Sequence, residues 1–132
     1  ALAAGNDAIL QALKQQQSIQ VRESALSRLE GSARILQNSQ SLAAAGDFPK
    51  ARGVLRGGAM KSFRSDITEA ADILAIDRPA FATTEGRAAV QALQEYDNAL
   101  RKVKQEGDES EWPDAGRAAS ATLFTCIQVL QE

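Results

Sequence analysis

Ala45-Gly46-Asp47-Phe48-Pro49 is the stretch on which the fold turns, because it holds the end of one helix and the start of the next. Gly46 suits the left-handed position that closes a helix, Asp47 can cap the following one, and Pro49 belongs in a first turn. Backwards from this boundary, Ile19, Leu26, Leu29, Ala33 and Leu36 recur at helical spacing. One helix is expected from Asn6 or Asp7, either of which can cap it, to about Ala44. Ile9, Leu10 and Leu13 form a stripe that leaves this register through Gln15, Gln16 and Gln17, so residues 1–17 read as a separate or mobile N-terminal segment. Ala1 to Gly5 resembles the small-residue end of an export signal or a frayed Ala-rich terminus.

Forwards from the boundary, Leu55, Ala59, Phe63, Ile67, Ala70 and Leu74 set the apolar face of a second helix. Gly57-Gly58 lies inside it at about 1 kcal/mol per glycine relative to alanine, which marks a close neighbour or a kink. Asp77-Arg78-Pro79 ends that helix, since proline lacks an amide hydrogen and disfavours helix in the residue before it. A third helix is expected to start near Thr83 or Thr84, to turn Ala89, Leu93, Tyr96, Leu100 and Val103 to one side, and to close at Gly107. Residues 106–114 form a polar, acidic connection, after which Ser110 and Pro113 can open a fourth helix carrying Ser120, Leu123, Ile127 and Leu130 inward. Four amphipathic helices with short connections predict one all-α domain over residues 1–132, an up-down-up-down antiparallel four-helix bundle.

Composition agrees with the helical reading and removes whole chemistries. The 132 residues are 44% hydrophobic and 5% aromatic, the proportions of a single helical domain poor in sheet formers. No apolar stretch approaches the ~20 residues a membrane span needs. Histidine is absent and cysteine occurs once, at Cys126. Haem ligation, His-based zinc sites, di-iron carboxylate bundles and Ser-His-Asp or Cys-His catalysis each lack a necessary part. Cys126, beside Ile127 and without a basic neighbour, reads as a small core residue.

Charge is unevenly placed although the net value is only −2. Residues 47–64 carry Lys50, Arg52, Arg56, Lys61 and Arg64 against Asp47 alone, whereas 65–132 hold 13 acidic and six basic residues. Arg52, Arg56 and the Lys61/Arg64 turn can share an exposed flank that docks an acidic partner, or be a solvated face balanced by acids on neighbouring helices. Nucleic acid is a poor fit, because the pI is near 5.2 and the basic residues lack interleaved aromatics. The glycines near Arg52 lack the strand-to-helix context and Gly-Lys-Ser/Thr ending of a phosphate loop. Asp108, Glu109, Glu111 and Asp114 offer oxygen ligands without the alternating spacing of a calcium loop, and Asp66 and Glu69 read as carboxylates that solubilise a helix. Trp112 either pins the loop over the helix ends or presents an anchor to a partner. No catalytic, metal or cofactor site is expected from these residues, and catalysis by carboxylates alone is the one enzymatic reading the composition leaves open.

The basic stretch Lys50-Ala51-Arg52 through Arg56, then Ser62-Phe63-Arg64-Ser65-Asp66-Ile67, then Gln94-Glu95-Tyr96-Asp97-Asn98-Ala99, behind a helix opened by Asp47-Phe48-Pro49, resembles the PsbQ-like extrinsic subunits of photosystem II. Arg64 and Asp66 match an Arg-x-Asp pair of that family. The chain lacks the long Pro-rich leader of the plant type and places Trp112-Pro113 before the last helix, which is similar to an algal or diatom-type subunit. The resemblance implies a non-catalytic protein of the thylakoid lumen, peripheral to the membrane. Such a protein binds lumenal photosystem II subunits and other extrinsic proteins, stabilises the manganese cluster, and helps retain calcium and chloride without binding manganese itself. The docking charges would be Lys50, Arg52, Arg56, Lys61 and Arg64. The alternative is the ligand-sensing or partner-binding bundle of an extracytoplasmic receptor, with its first and last helices continuing into membrane spans.

Overall fold

The computed structural model describes residues 2–56, 59–74 and 78–131, and within them every side chain except those of 2–6, 18, 59–61 and 82. The described residues are all-α: α1 (Leu2–Ala44), α2 (Phe48–Arg56), α3 (Ala59–Leu74), α4 (Ala80–Thr83), α5 (Glu85–Glu106) and α6 (Trp112–Gln131). No described helix is long and apolar enough to cross a membrane.

The α1–α2 boundary forms as its residues dictate. Gly46 takes φ +87°, its amide donates to the Ala43 carbonyl, and the Asp47 amide reaches back to Leu42. These bonds satisfy carbonyls that the end of α1 would otherwise leave bare. Asp47 then turns its carboxylate onto the Lys50 amide at 3.2 Å and caps α2. Gly107 closes α5 in the same left-handed conformation, at φ +69°.

Three expected boundaries move. Helix α1 runs unbroken from Leu2, so neither Asn6 nor Asp7 caps it and residues 2–17 belong to the same helix as the core. The Pro79 region is not a plain linker, because residues 80–83 make the short α4 and seat Phe81 in the core at 1% exposure. Ser110 does not cap α6; its amide and hydroxyl both turn back to the Asp108 carboxylate, and the first α6 bond runs from the Ala115 amide to Glu111. Gly57-Gly58 and Asp77 lie outside the described residues, as do the side chains of Ala59 and Asn6.

The core gathers Leu29, Leu36, Leu55, Phe63, Leu74, Phe81, Tyr96, Leu100, Leu123 and Leu130 among others. On α1 the buried line is Ala25, Leu29, Ser32, Leu36, Ser39 and Ala43, a three-four alternation in which every second member is small. Small residues there let the neighbouring helices come close, while Leu26 and Ala33 border the seam. Continued towards the N-terminus, the same alternation meets Arg22, Ser18, Gln15 and Gln11, which offer no apolar surface. Ile9, Leu10 and Leu13 fall on a different face and are 50% or more exposed. At 1.5 Å per residue α1 is about 64 Å long against about 33 Å for α5, and its first half outruns its neighbours.

Candidate functional site

Helix α2 turns Ala51 and Leu55 into the core. At about 100° per residue, Lys50 and Arg56 then fall on opposite flanks of that buried line, so they do not make one continuous patch. Both are exposed, and neither side chain has an ion-pair or hydrogen-bond partner among the described residues. The side chain of Lys61 lies outside the described residues.

Arg52 has a different role from its neighbours. Its Nε stands 3.3 Å from Asp97 Oδ1, with the guanidinium side chain only 17% exposed, so it ties α2 to α5. The adjacent Tyr96 explains the placement. Its ring is fully buried and its hydroxyl meets Ser39 at 2.9 Å, which draws the following residue, Asp97, under α2. Two of the strings that carry the family resemblance, 50–56 and 94–99, therefore touch one another.

The Arg64-x-Asp66 string separates in space. Asp66 is 2% exposed and faces Arg28 of α1, whose Nε is 3.5 Å from Oδ1; Arg28 also pairs with Glu69. Asp66 is thus a buried ionic contact between α1 and α3, not the solvated carboxylate its polar neighbours suggest. A buried carboxylate needs such a partner, since an uncompensated charge in the interior is costly.

Arg64 stays exposed and lines a groove between α3 and α5. The helices touch tightly at Gly86, where an added Cβ would lie 2.9 Å from Ile67 Cγ2. Beside this contact opens a space of about 690 Å³, floored by Ile67, Ala71 and Val90, with Arg64 on the α3 wall and Arg87 on the α5 wall. Neither arginine side chain is paired among the described residues. Arg28, Arg52, Lys102 and Arg117, by contrast, each hold a carboxylate. Arg87 was missing from the basic set read off the sequence, although Arg87, Val90, Gln91 and Gln94 share a helical face at three- and four-residue steps. The sequence offers no sign that this face lies opposite Arg64.

The acidic connection closes on itself. Two hydrogen bonds from Ser110 hold the Asp108 carboxyl below its ordinary range, and a hydrogen bond from Lys102 to Glu111 at 2.8 Å raises the ammonium above its own. Among the described residues no group of three or more carboxylate or thiol side chains is placed to hold a metal ion. Trp112 packs edge-to-face on Phe48 with ring centroids 5.8 Å apart, so it pins the α5–α6 connection against the start of α2. Cys126 is fully buried, and desolvation, followed by the nearby Glu85 charge, pushes its thiol up to about 12.

Against protein-family models, curated proteins and solved structures the chain finds no match, so the reading of its function rests on its own residues.

Proposed function

We propose that this chain is a non-catalytic docking subunit that binds an acidic protein surface, of the kind the PsbQ-like extrinsic subunits of photosystem II represent. In that reading it lies on the lumenal side of the thylakoid membrane without spanning it, contacts lumenal subunits, and stabilises the manganese cluster and its calcium and chloride. Its helices make an up-down-up-down bundle in which α2 and α3 together serve as the second rod. Support for that arrangement comes from contacts that run in opposite senses along neighbours: Ser39 to Ala51 but Arg28 to Asp66, and Gln40 to Ser120 while Ser32 packs near Leu123.

The observation that carries the docking reading is a division of labour among the cations. Arg28 and Arg52 are consumed by contacts between helices, whereas Lys50, Arg56, Arg64 and Arg87 reach solvent with no acidic partner among the described residues. Unpaired surface cations on an acidic protein favour association with a negative surface and make it salt-sensitive.

The test is rebinding of the purified chain to salt-washed photosystem II membranes at low and high ionic strength, with oxygen evolution followed in parallel. Binding at low salt that restores activity and is lost at high salt is the expected result. Failure to bind at low salt removes the reading.

A further inference from the structure

We propose that the groove between α3 and α5 is the seat of an acidic amphipathic helix supplied by the docking partner. The inference rests on the docking reading above and names the surface that does the recognising.

Shape gives the first argument. The groove is bounded by two helices, and its α3 wall runs from Arg64 to Asp72, eight residue steps or about 12 Å of helix axis. A third helix fits against such a pair of walls, with apolar side chains at three- and four-residue steps meeting Ile67, Ala71 and Val90. A single-headed amphiphile is a poorer fit, because the space opens along its length and would leave much of an acyl chain in water.

Charge complementarity gives the second argument and fixes the sign of the occupant. Arg64 and Arg87 approach from different helices and neither is paired with an acid among the described residues, although acidic residues outnumber basic ones from residue 65 onward. Asp72 is the one carboxylate among the described residues that line the groove. Guanidinium groups pair with carboxylates in a two-pronged geometry, so glutamate or aspartate on both edges of the incoming helix answers the two walls. Thr68, Gln91 and Gln94 add polar groups along the rim.

The closeness of α3 and α5 at Gly86 makes the groove a fixed feature of the fold. With no Cβ there, Ile67 and the Phe81 carbonyl sit against the first turn of α5, which anchors both walls at one end.

The experiment uses the full chain and a fluorescein-labelled helical peptide of about 16 residues, with leucines at three- and four-residue steps and glutamates on both edges of the leucine stripe. A second peptide carries lysine in place of every glutamate. Anisotropy should show saturable binding of the acidic peptide, weakening with salt, and no comparable binding of the lysine form. Reversal of both arginines (Arg64→Glu with Arg87→Glu) should weaken binding roughly tenfold or more. Thr68→Trp, at an exposed wall position, should block the groove by bulk. Lys14→Glu with Arg34→Glu, two exposed positions on α1, should leave peptide binding unchanged. Equal binding of both peptides, or no effect of the Arg64/Arg87 reversal, overturns the inference. If the membranes bind but the peptide does not, the groove assignment fails and the docking reading stands; peptide binding without membrane binding gives the converse.

Discussion

The hydroxyls of Ser39 and Tyr96 meet 2.9 Å apart in the core, and the serine hydroxyl donates a hydrogen bond to the Ala51 carbonyl at 2.8 Å. One small polar residue of α1 thereby joins α2 and α5. The direction follows from the proton count: Ser39 has a single hydroxyl hydrogen and spends it on Ala51, so Tyr96 is the donor in the other bond. Alongside lies the Arg52–Asp97 pair between the same two helices, α2 and α5.

Ser39→Ala is therefore expected to cost more than Tyr96→Phe. Removing the serine leaves a buried phenol hydroxyl without a partner, about 1–3 kcal/mol, whereas removing the phenol oxygen loses one bond of about 1 kcal/mol and leaves Ser39 satisfied by Ala51. The double variant should cost less than the two single costs added together. Urea denaturation of the four proteins measures this; an additive result would show that the two hydroxyls do not interact.

Ser39 also shows what the sequence could and could not disclose. Periodicity identified the helical class, the Gly46–Asp47 turn, the closure at Gly107 and the inward faces of α3 and α6. On α1 it placed Leu29 and Leu36 correctly but joined them with Ile19, Leu26 and Ala33, where Ala25, Ser32 and Ser39 complete the seam. A hydropathy pattern ranks serine as polar, yet a small serine can be buried wherever the facing helix supplies a hydrogen bond or needs the room. Phe81 escaped notice for a related reason, since an aromatic two residues after a proline reads as loop until a neighbouring helix covers it. The groove was illegible because its two arginines are 23 positions apart and only tertiary packing sets their helices side by side.

Glycine positions should answer in opposite directions. Gly53, inside α2, has no atom of a neighbouring element among the described residues within 4 Å of where a Cβ would stand, so Gly53→Ala should stabilise by about 0.5–1 kcal/mol through helix propensity. Gly86→Ala places a methyl 2.9 Å from Ile67 Cγ2 and 3.1 Å from the Phe81 carbonyl, and should destabilise by about 1–3 kcal/mol. Thermal melting distinguishes them; a Gly86→Ala protein as stable as the parent would show that α3 and α5 do not close at this point.

Cys126 should be silent in the folded protein. Its thiol is pushed up from 9.0 to about 12, mainly by desolvation, so at about pH 8 it is neutral and shielded, and a disulfide reagent should react only as fast as the fold opens. The sign of the linkage follows from that direction. The folded state holds the proton more tightly than the unfolded chain, so the contribution to stability is complete below pH 9.0 and is lost as pH rises towards about 12. Tyr96, raised above 10.0 mainly by burial, adds a loss of the same sign at higher pH. The alkaline fall in Tm should be shallower in Cys126→Ala than in the parent; equal slopes would assign the fall to other groups.

The charges proposed for docking and those that hold the fold separate by variant. Lys50→Glu with Arg56→Glu changes two exposed side chains on opposite flanks of α2 and should shift stability by no more than about 0.5 kcal/mol, with helicity unchanged. Arg52→Met should instead cost about 1–3 kcal/mol, because it leaves the half-buried Asp97 carboxylate without its guanidinium partner. Adding Asp97→Asn to Arg52→Met should recover part of that loss, since an amide tolerates the vacated site better than a charge. Circular dichroism and urea denaturation give the folding side of the comparison, and salt-sensitive rebinding to photosystem II membranes gives the docking side. Stability that ignores Arg52→Met would return this arginine to the docking set, whereas unfolding by the Lys50/Arg56 reversal would withdraw those two from it.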